Sequence, residues 1–279
     1  DKTSVTRKIG FSETINELEK KIEAKNLTKD FSNLVVRVKK DYDNMRNVML
    51  NSGMNGLNLT IVFHEVEREM GFISHDIMLK DCDLDNIRQR IKSLMELIEK
   101  FMPLMRNSKN VTALASKFAE RVGEIHKTRF RYHKVLFSNR FTEENNNDFS
   151  ITGPAGMIMS ALSNLVDNAI FWSRERRAKE NGKYKPAVLI ASDTTHFDGP
   201  AIIVADNGCG FQMDEDDMIL PFRSLKPQGM GVGLYYTSLV MEIIGGKILF
   251  PAIDTLDLPS VYNGACVALV FQKVNNKEN

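Results

Sequence analysis

Residues 162–173, LSNLVDNAIFWS, decide how this chain of 279 residues is read. Leu162, Leu165, Val166, Ala169 and Ile170 recur at threes and fours, the spacing of an amphipathic helix. Asn164 and Asn168 stand one turn apart on a side shared with Ala161 and Phe171, where an ordinary core helix carries Ala or Lys. A buried carboxamide without a partner costs roughly 1–3 kcal/mol. Two on one such helix imply a ligand, and a carboxamide oxygen is a good hard ligand for Mg²⁺. Hydrogen bonds to neighbouring backbone are the plain alternative, and from this stretch alone both stand.

Two further stretches narrow the choice. In VADNGCGF, residues 204–211, a strand ends in Asp206, and Gly208 and Gly210 remove side chains where a flat ligand could approach the backbone. A carboxylate fixed at a strand end can accept a hydrogen bond from an exocyclic amine such as that of adenine. An Asn-Gly hairpin turn is the alternative, but QMDEDDMILPF, residues 212–222, does not read as a returning strand. In GMGVGLYYTSLVMEIIGG, residues 229–246, glycines at alternate positions open an amphipathic helix that closes at Gly245 and Gly246. Free N–H groups and the helix dipole then face whatever lies at its start, and phosphate is the obvious guest. The pattern is neither a dinucleotide fingerprint, since no strand directly precedes it, nor a Walker loop, since no Gly-Lys-Ser/Thr follows.

The totals favour small-molecule and protein partners. Basic and acidic residues nearly cancel, 37 against 36, and no dense basic run offers a groove for nucleic acid or an anionic membrane. Cys82, Cys209 and Cys266 lie far apart without paired spacing, which argues against a disulfide framework or zinc knuckle and fits a reducing compartment. No run is apolar for long enough to cross a bilayer, and no signal-peptide pattern opens the chain. A cytoplasmic location without membrane contact is expected, and a start at Asp1 fits a piece of a longer, membrane-associated protein.

A helical rhythm runs from about residue 13 to 50 through Ile15, Leu18, Ile22, Phe31, Leu34, Val35 and Val38, as in a long helix or coiled coil. NSGMNG, residues 51–56, weakens it, and a second periodic stretch covers 57–79. KDCDLD, residues 80–85, supplies a loop and N-cap before a stripe of Ile87, Ile91, Leu94, Leu97, Ile98 and Phe101. The last two stretches predict antiparallel helices. After Pro103 the texture changes: a helix over 112–127, a strand in RYHKVLFS at 131–138, a loop at 142–148, then the helix of the opening stretch, started by Gly153 and Pro154. Strands follow at 187–192, 201–205, 246–250 and 265–271, with a turn at Asp198-Gly199 and a frayed tail, VNNKEN. The fold class expected is α+β, a helical domain over 1–108 followed by an α/β sandwich over 109–279.

In this order the stretches resemble the ATP-binding domain shared by gyrase, the large heat-shock chaperone, histidine kinases and MutL, over roughly residues 150–273. The resemblance implies that Asn168 holds the Mg²⁺ of bound ATP, that Asn164 lies in the same nucleotide pocket, and that Asp206 reads the adenine amino group. It implies room for the ring at Gly208 and Gly210 with Trp172 at its flank, and a phosphate cradle of Gly229, Gly231 and Gly233 with Leu234. Residues 216–228 would be a mobile lid resembling the histidine kinase box that pairs Pro-Phe with an Arg, with Phe222 as anchor and Arg223 and Lys226 as its cations.

Hydrolytic members of that superfamily place a Glu where Asn164 stands, and an amide cannot activate water. Asp167 sits about a quarter-turn away. The likeness therefore points to the histidine kinases, which hold ATP for transfer. IVFHEVEREM, residues 61–70, resembles their phosphorylation box: His64 as acceptor, with Glu65 as the acid that keeps the imidazole nucleophilic and serves as general base. Two departures stand out. Glu67, Arg68 and Glu69 replace the usual Arg or Asn, Thr-Pro run, and Phe171-Trp172 replaces a basic residue followed by an aromatic. Arg174, Arg176 or Lys226 could supply the missing charge. The resemblance implies a helical hairpin that forms a four-helix bundle on homodimerisation, a sandwich of the histidine kinase-like ATPase type, autophosphorylation on His64, and transfer to an aspartate on a response-regulator receiver domain. The rival readings are an ATP-binding switch or scaffold that phosphorylates nothing, and a serine kinase of the anti-sigma type. His75, His126, His133 and His196 are read as ordinary, for want of the adjacent acid that His64 has. His75, Asp76, Asp81, Cys82 and Asp83 have metal-ligand types without zinc spacing and read as a loop and helix cap.

Overall fold

The computed structural model describes residues 29–51, 60–77, 83–105, 109–142, 147–227 and 229–272. The chain divides into two compact units, Asp1–Arg106 and Asn107–Asn279. The helical start expected over 13–28, nearly all of NSGMNG, Asp81, Cys82, much of the 142–148 loop and the tail lie outside the described residues.

Unit 1 contains α1 (Lys29–Asn51), α2 (Thr60–Asp76) and α3 (Leu84–Met105). Asp83 caps α3: its Oδ1 accepts the N–H groups of Asp85 and Asn86, each at 3.0 Å. The predicted stripe from Ile87 to Phe101 is buried. Arg90 near the start of α3 donates to Asp76 at 2.6 Å and to Glu69 at 3.0 Å, both on the second half of α2, as a helical hairpin requires. A hairpin alone would leave its apolar stripe to a second chain. Here α1 packs along α3 and adds Val35, Val38 and Tyr42 to the core. Val62, Val66, Met70 and Ile73 consequently have 0% exposure within one chain.

Unit 2 is a two-layer α/β arrangement. Strands β1 (Val111–Leu114) and β3 (Ser150–Gly153) form an antiparallel pair. The main sheet has the order β2-β4-β5-β7-β6. Its strands are β2 (Leu136–Asn139), β4 (Ala187–Asp193), β5 (Ala201–Asp206), β6 (Lys247–Leu249) and β7 (Cys266–Val270). β2 runs parallel to β4, and the other neighbours are antiparallel, so the sheet is mixed. The helices are α4 (Ala115–His133), α5 (Ala155–Lys179), the short α6 (Glu215–Met218) and α7 (Gly233–Ile243). Val188, Ile190, Ile202, Val204 and Leu269 point into the layer of α4, α5 and α7. Their neighbours Leu189, Ala191, Ile203 and Ala268 face a smaller core closed by Leu256 and Tyr262. Both faces of the central strands are buried, which is why they read as continuous apolar runs.

The sequence expectation of a strand over 131–138 is corrected here. Phe118, Val122, His126 and Phe130, four apart and all buried, carry α4 through His133. The helix ends where Lys134 turns left-handed, φ 54°, and only then does β2 begin. Gly153 is likewise the last residue of β3, and Pro154 holds the N-cap position of α5.

Candidate functional site

The end of β5, the middle of α5 and the 214–232 segment before α7 are tied together by contacts at glycines and at two cations. Asp206, the last residue of β5, is 4% exposed. Its Oδ1 accepts the N–H of Gly208 at 2.7 Å and of Ala265 at 3.1 Å. Burial raises its pKa to about 7, against the lowering by those two hydrogen bonds and by Arg176. Sequence reasoning missed Gly264: a Cβ there would fall 2.4 Å from Asp206 Oδ1 and 2.3 Å from Gly208 N. Its signal was the Asn-Gly pair before the last strand. Gly208 also has a reason within the fold itself. A Cβ on it would lie 2.7 Å from the Trp172 carbonyl carbon and 2.9 Å from Ser173 N, so the missing side chain admits the backbone of α5. Gly210 takes a left-handed turn, φ 74°.

An ordinary aspartate titrates near 3.8, whereas Asp206 does so at about 7, so between these values the folded chain holds a proton that the unfolded chain has released. Its contribution to stability is full below about pH 4, declines by roughly 1 kcal/mol per pH unit as pH rises, and levels off above about 7. Urea midpoints measured from pH 4 to 8 should show this downward component in the wild type and lack it in Asp206→Asn.

On α5, Leu162, Leu165 and Ala169 are buried while Asn164 and Asn168, on another side, are half-buried. Lys226 Nζ donates to Asn168 Oδ1 at 2.5 Å and stands 4.8 Å from the centroid of the Phe171 ring. The charge missing at Phe171 in sequence is thus present beside it in space. Asn168 Oδ1 already serves a cation, so it fits the hard oxygen that would hold Mg²⁺. Trp172 is half-buried, edge-on to Phe171 at 5.0 Å.

Of the other two candidate cations, Arg176 is committed elsewhere. Arg176 Nη1 donates to the Asn207 carbonyl at 3.0 Å and to Asn263 Oδ1 at 2.7 Å, with its guanidinium stacked 4.3 Å over Tyr184. Arg174 is exposed and lies near His133 of α4, whose pKa falls through burial and then through that charge. Asp167 is held by Arg129 and lies 3.3 Å from Nδ1 of the buried His126, whose Nε2 is 2.7 Å from Ser163 Oγ. It pins α5 to α4.

Along the 214–232 segment, Phe222 adopts φ 62°, a conformation uncommon for an aromatic, and the Arg223 side chain is exposed. Gly231, φ 67°, lies on the Arg223 backbone, where a Cβ would fall 2.6 Å from Arg223 N. Gly229 N–H donates to Lys226 O at 3.0 Å. Gly233 is the first residue of α7, and no side chain caps that helix. Its leading N–H groups can therefore take an anion. Leu234 packs against the helix-side core.

In unit 1, the His64 side chain is 69% exposed, with Nδ1 3.4 Å from Glu67 Oε2. Glu65, 14% exposed, is paired instead with Arg68, and burial raises its pKa. The acid that follows His64 in sequence is not the one beside its ring. The reading that His75 lies in a loop and lacks an adjacent acid is corrected: it stands on α2, its Nδ1 is 3.3 Å from Asp76 Oδ1, and Arg90 holds the other oxygen of Asp76. The adjacent His-Asp letters carried that signal. Among the described residues, no helix is long and apolar enough to cross a membrane, and no three His, Cys, Asp or Glu side chains cluster as metal ligands.

No family model matches the chain, and neither does any curated protein. Solved structures similar to it include the catalytic domain of histidine kinase ThkA, 20% identical, covering 59% of this chain and 96% of that one with a TM-score of 0.45. The Acinetobacter baumannii histidine kinase AdeS is 16% identical over 76% of this chain and 98% of its own, TM-score 0.49. The mycobacterial sensor histidine kinase MprB is 17% identical over 58% and 96%, TM-score 0.43.

Proposed function

We propose that the chain is a protein histidine kinase: unit 2 binds Mg·ATP, the γ-phosphoryl group passes to His64, and from there to an aspartate of a response-regulator receiver domain. The observation that carries this reading is the carboxamide of Asn168, which presents its oxygen to a cation beside a glycine-rich turn and an uncapped helix start. Asp206 would accept the adenine amino group through its carboxylate. The leading N–H groups of α7 and the ammonium of Lys226 would receive phosphate oxygens. Asn168 would hold Mg²⁺, which neutralises charge on the phosphates. With an amide at Asn164 and Asp167 engaged by Arg129, neither side chain activates water, which favours transfer over hydrolysis.

The test is incubation with γ-labelled ATP. Acid-labile, alkali-stable label on the protein supports the reading. Acid-stable label on an added partner would make it a serine kinase, and bound nucleotide with no label anywhere would make it a switch. The same reading expects a homodimer through unit 1, where Val36 and Phe72 remain exposed, and sedimentation equilibrium measures it directly.

A further inference from the structure

We infer that Glu67, held in place by Tyr42 of α1, is the acid that orients His64, and that Glu65 does not perform this role. The inference rests on His64 being the phosphoacceptor. Tyr42 is a buried residue of α1, set edge-on to Phe63 with ring centroids 5.5 Å apart. Its hydroxyl donates to Glu67 Oε1 at 2.6 Å. The other carboxylate oxygen, Oε2, lies 3.4 Å from His64 Nδ1. One oxygen of Glu67 is thus held by a buried tyrosine, and the other faces the ring. Glu65, by contrast, is turned away into its pair with Arg68.

Positions three apart on a helix share a face, whereas adjacent positions diverge by about 100°. With α2 regular from Thr60 to Asp76, Glu67 is accordingly better placed than Glu65 to meet the ring of His64. A carboxylate at Nδ1 favours the tautomer that carries its proton there, leaving the Nε2 lone pair free. In the transfer step the Nε2–P bond forms as the bond from the γ-phosphorus to the β–γ bridging oxygen breaks, and ADP leaves with that electron pair. The Nδ1 proton passes to Glu67 and then to water. Glu67 orients His64 and receives its proton, and Tyr42, a positioning residue, acts through Glu67, so α1 becomes part of the acceptor site.

The full chain, selectively ¹⁵N-labelled at histidine, gives a readout independent of kinase activity. Long-range ¹H–¹⁵N spectra above neutral pH should show His64 mainly as the Nδ1–H tautomer in the wild type and in Glu65→Gln, and shifted toward Nε2–H in Glu67→Gln. Labelling kinetics should show Glu67→Gln slowed roughly 10²-fold at saturating ATP, with its KM for ATP unchanged. Tyr42→Phe should be slowed about tenfold, through the loss of one hydrogen bond. The double variant should be no slower than Glu67→Gln alone, because Tyr42 works through Glu67, and Glu67→Asp should recover part of the rate. Loss of activity in Glu65→Gln with Glu67→Gln unimpaired overturns the inference, and so does a His64 tautomer that ignores Glu67→Gln. A wild-type protein that binds ATP and never labels His64 refutes the kinase reading instead, and the tautomer spectra still decide the contact.

Discussion

The chain carrying His64→Ala is expected to bind ATP as the wild type does and to acquire no acid-labile phosphate, a loss of more than about a thousandfold in labelling. The size of the effect follows from the role. A nucleophile contributes the bond that is made, and Ala offers no lone pair in its place. The substitution is also structurally mild. His64 is 69% exposed on a helix whose buried side is formed by Val62, Val66 and Met70, so truncation opens no cavity. Ala also raises intrinsic helix propensity relative to His. Thermal melting should therefore shift little, which separates lost chemistry from lost fold. The companion variant is His75→Ala, since His75 has its own fixed acid in Asp76. It should label at the wild-type rate. Label that survives His64→Ala and disappears in His75→Ala would move the acceptor eleven residues along α2, and with it the role assigned to Glu67.

What could be read from the amino acids divides along physical lines. The hairpin and α5 were legible because burial on one side of a helix writes a 3.6-residue period, as in Ile87, Ile91, Leu94 and Ile98. The central strands were legible because burial on both faces leaves no polar letters. The pair β1 and β3 was not. Each is four residues long, β1 is largely exposed, and their partnership joins positions some forty apart, which no local period records. RYHKVLFS misled because the helix continued on Phe130, whose ring stacks on Phe137 of the next strand at 4.5 Å, a tertiary contact. At the site, Asn168 and Asp206 stood out, since each is an anomalous polar residue in an apolar element. Gly264 and Tyr42 did not. Their reason for being there is a partner distant in the chain, Asp206 in one case and Glu67 in the other. Lys226 was legible as a charge near a glycine turn, but its target on α5 was a fact of the fold.

Asn168→Ala is expected to lower phosphoryl transfer about 10²–10³-fold, the usual consequence of deleting one preorganised group that stabilises charge in the transition state. The argument starts from the hydrogen bond of Lys226 to Asn168 Oδ1 at 2.5 Å. Asn168 is half-buried on a helix that packs against an apolar core, where a cation's attraction to a fixed dipole is screened less than in water. Alanine leaves no oxygen at that place, so the divalent ion loses a ligand and the ammonium loses its acceptor. Initial labelling rates measured across a Mg²⁺ titration should show both a lower plateau and a midpoint moved to higher Mg²⁺. Lys226→Met separates the two cations. Removing the ammonium frees Asn168 Oδ1, so the Mg²⁺ midpoint should fall. It also leaves the phosphates without that charge, as Phe171 supplies none and Arg176 is bound to carbonyls, so the plateau should drop as well. A midpoint that moves down while the plateau moves down is the signature of one lysine that competes for the metal's oxygen before nucleotide arrives and serves the phosphates afterwards. If both stayed where they are in the wild type, Lys226 would be a surface contact and Asn168 would need another explanation.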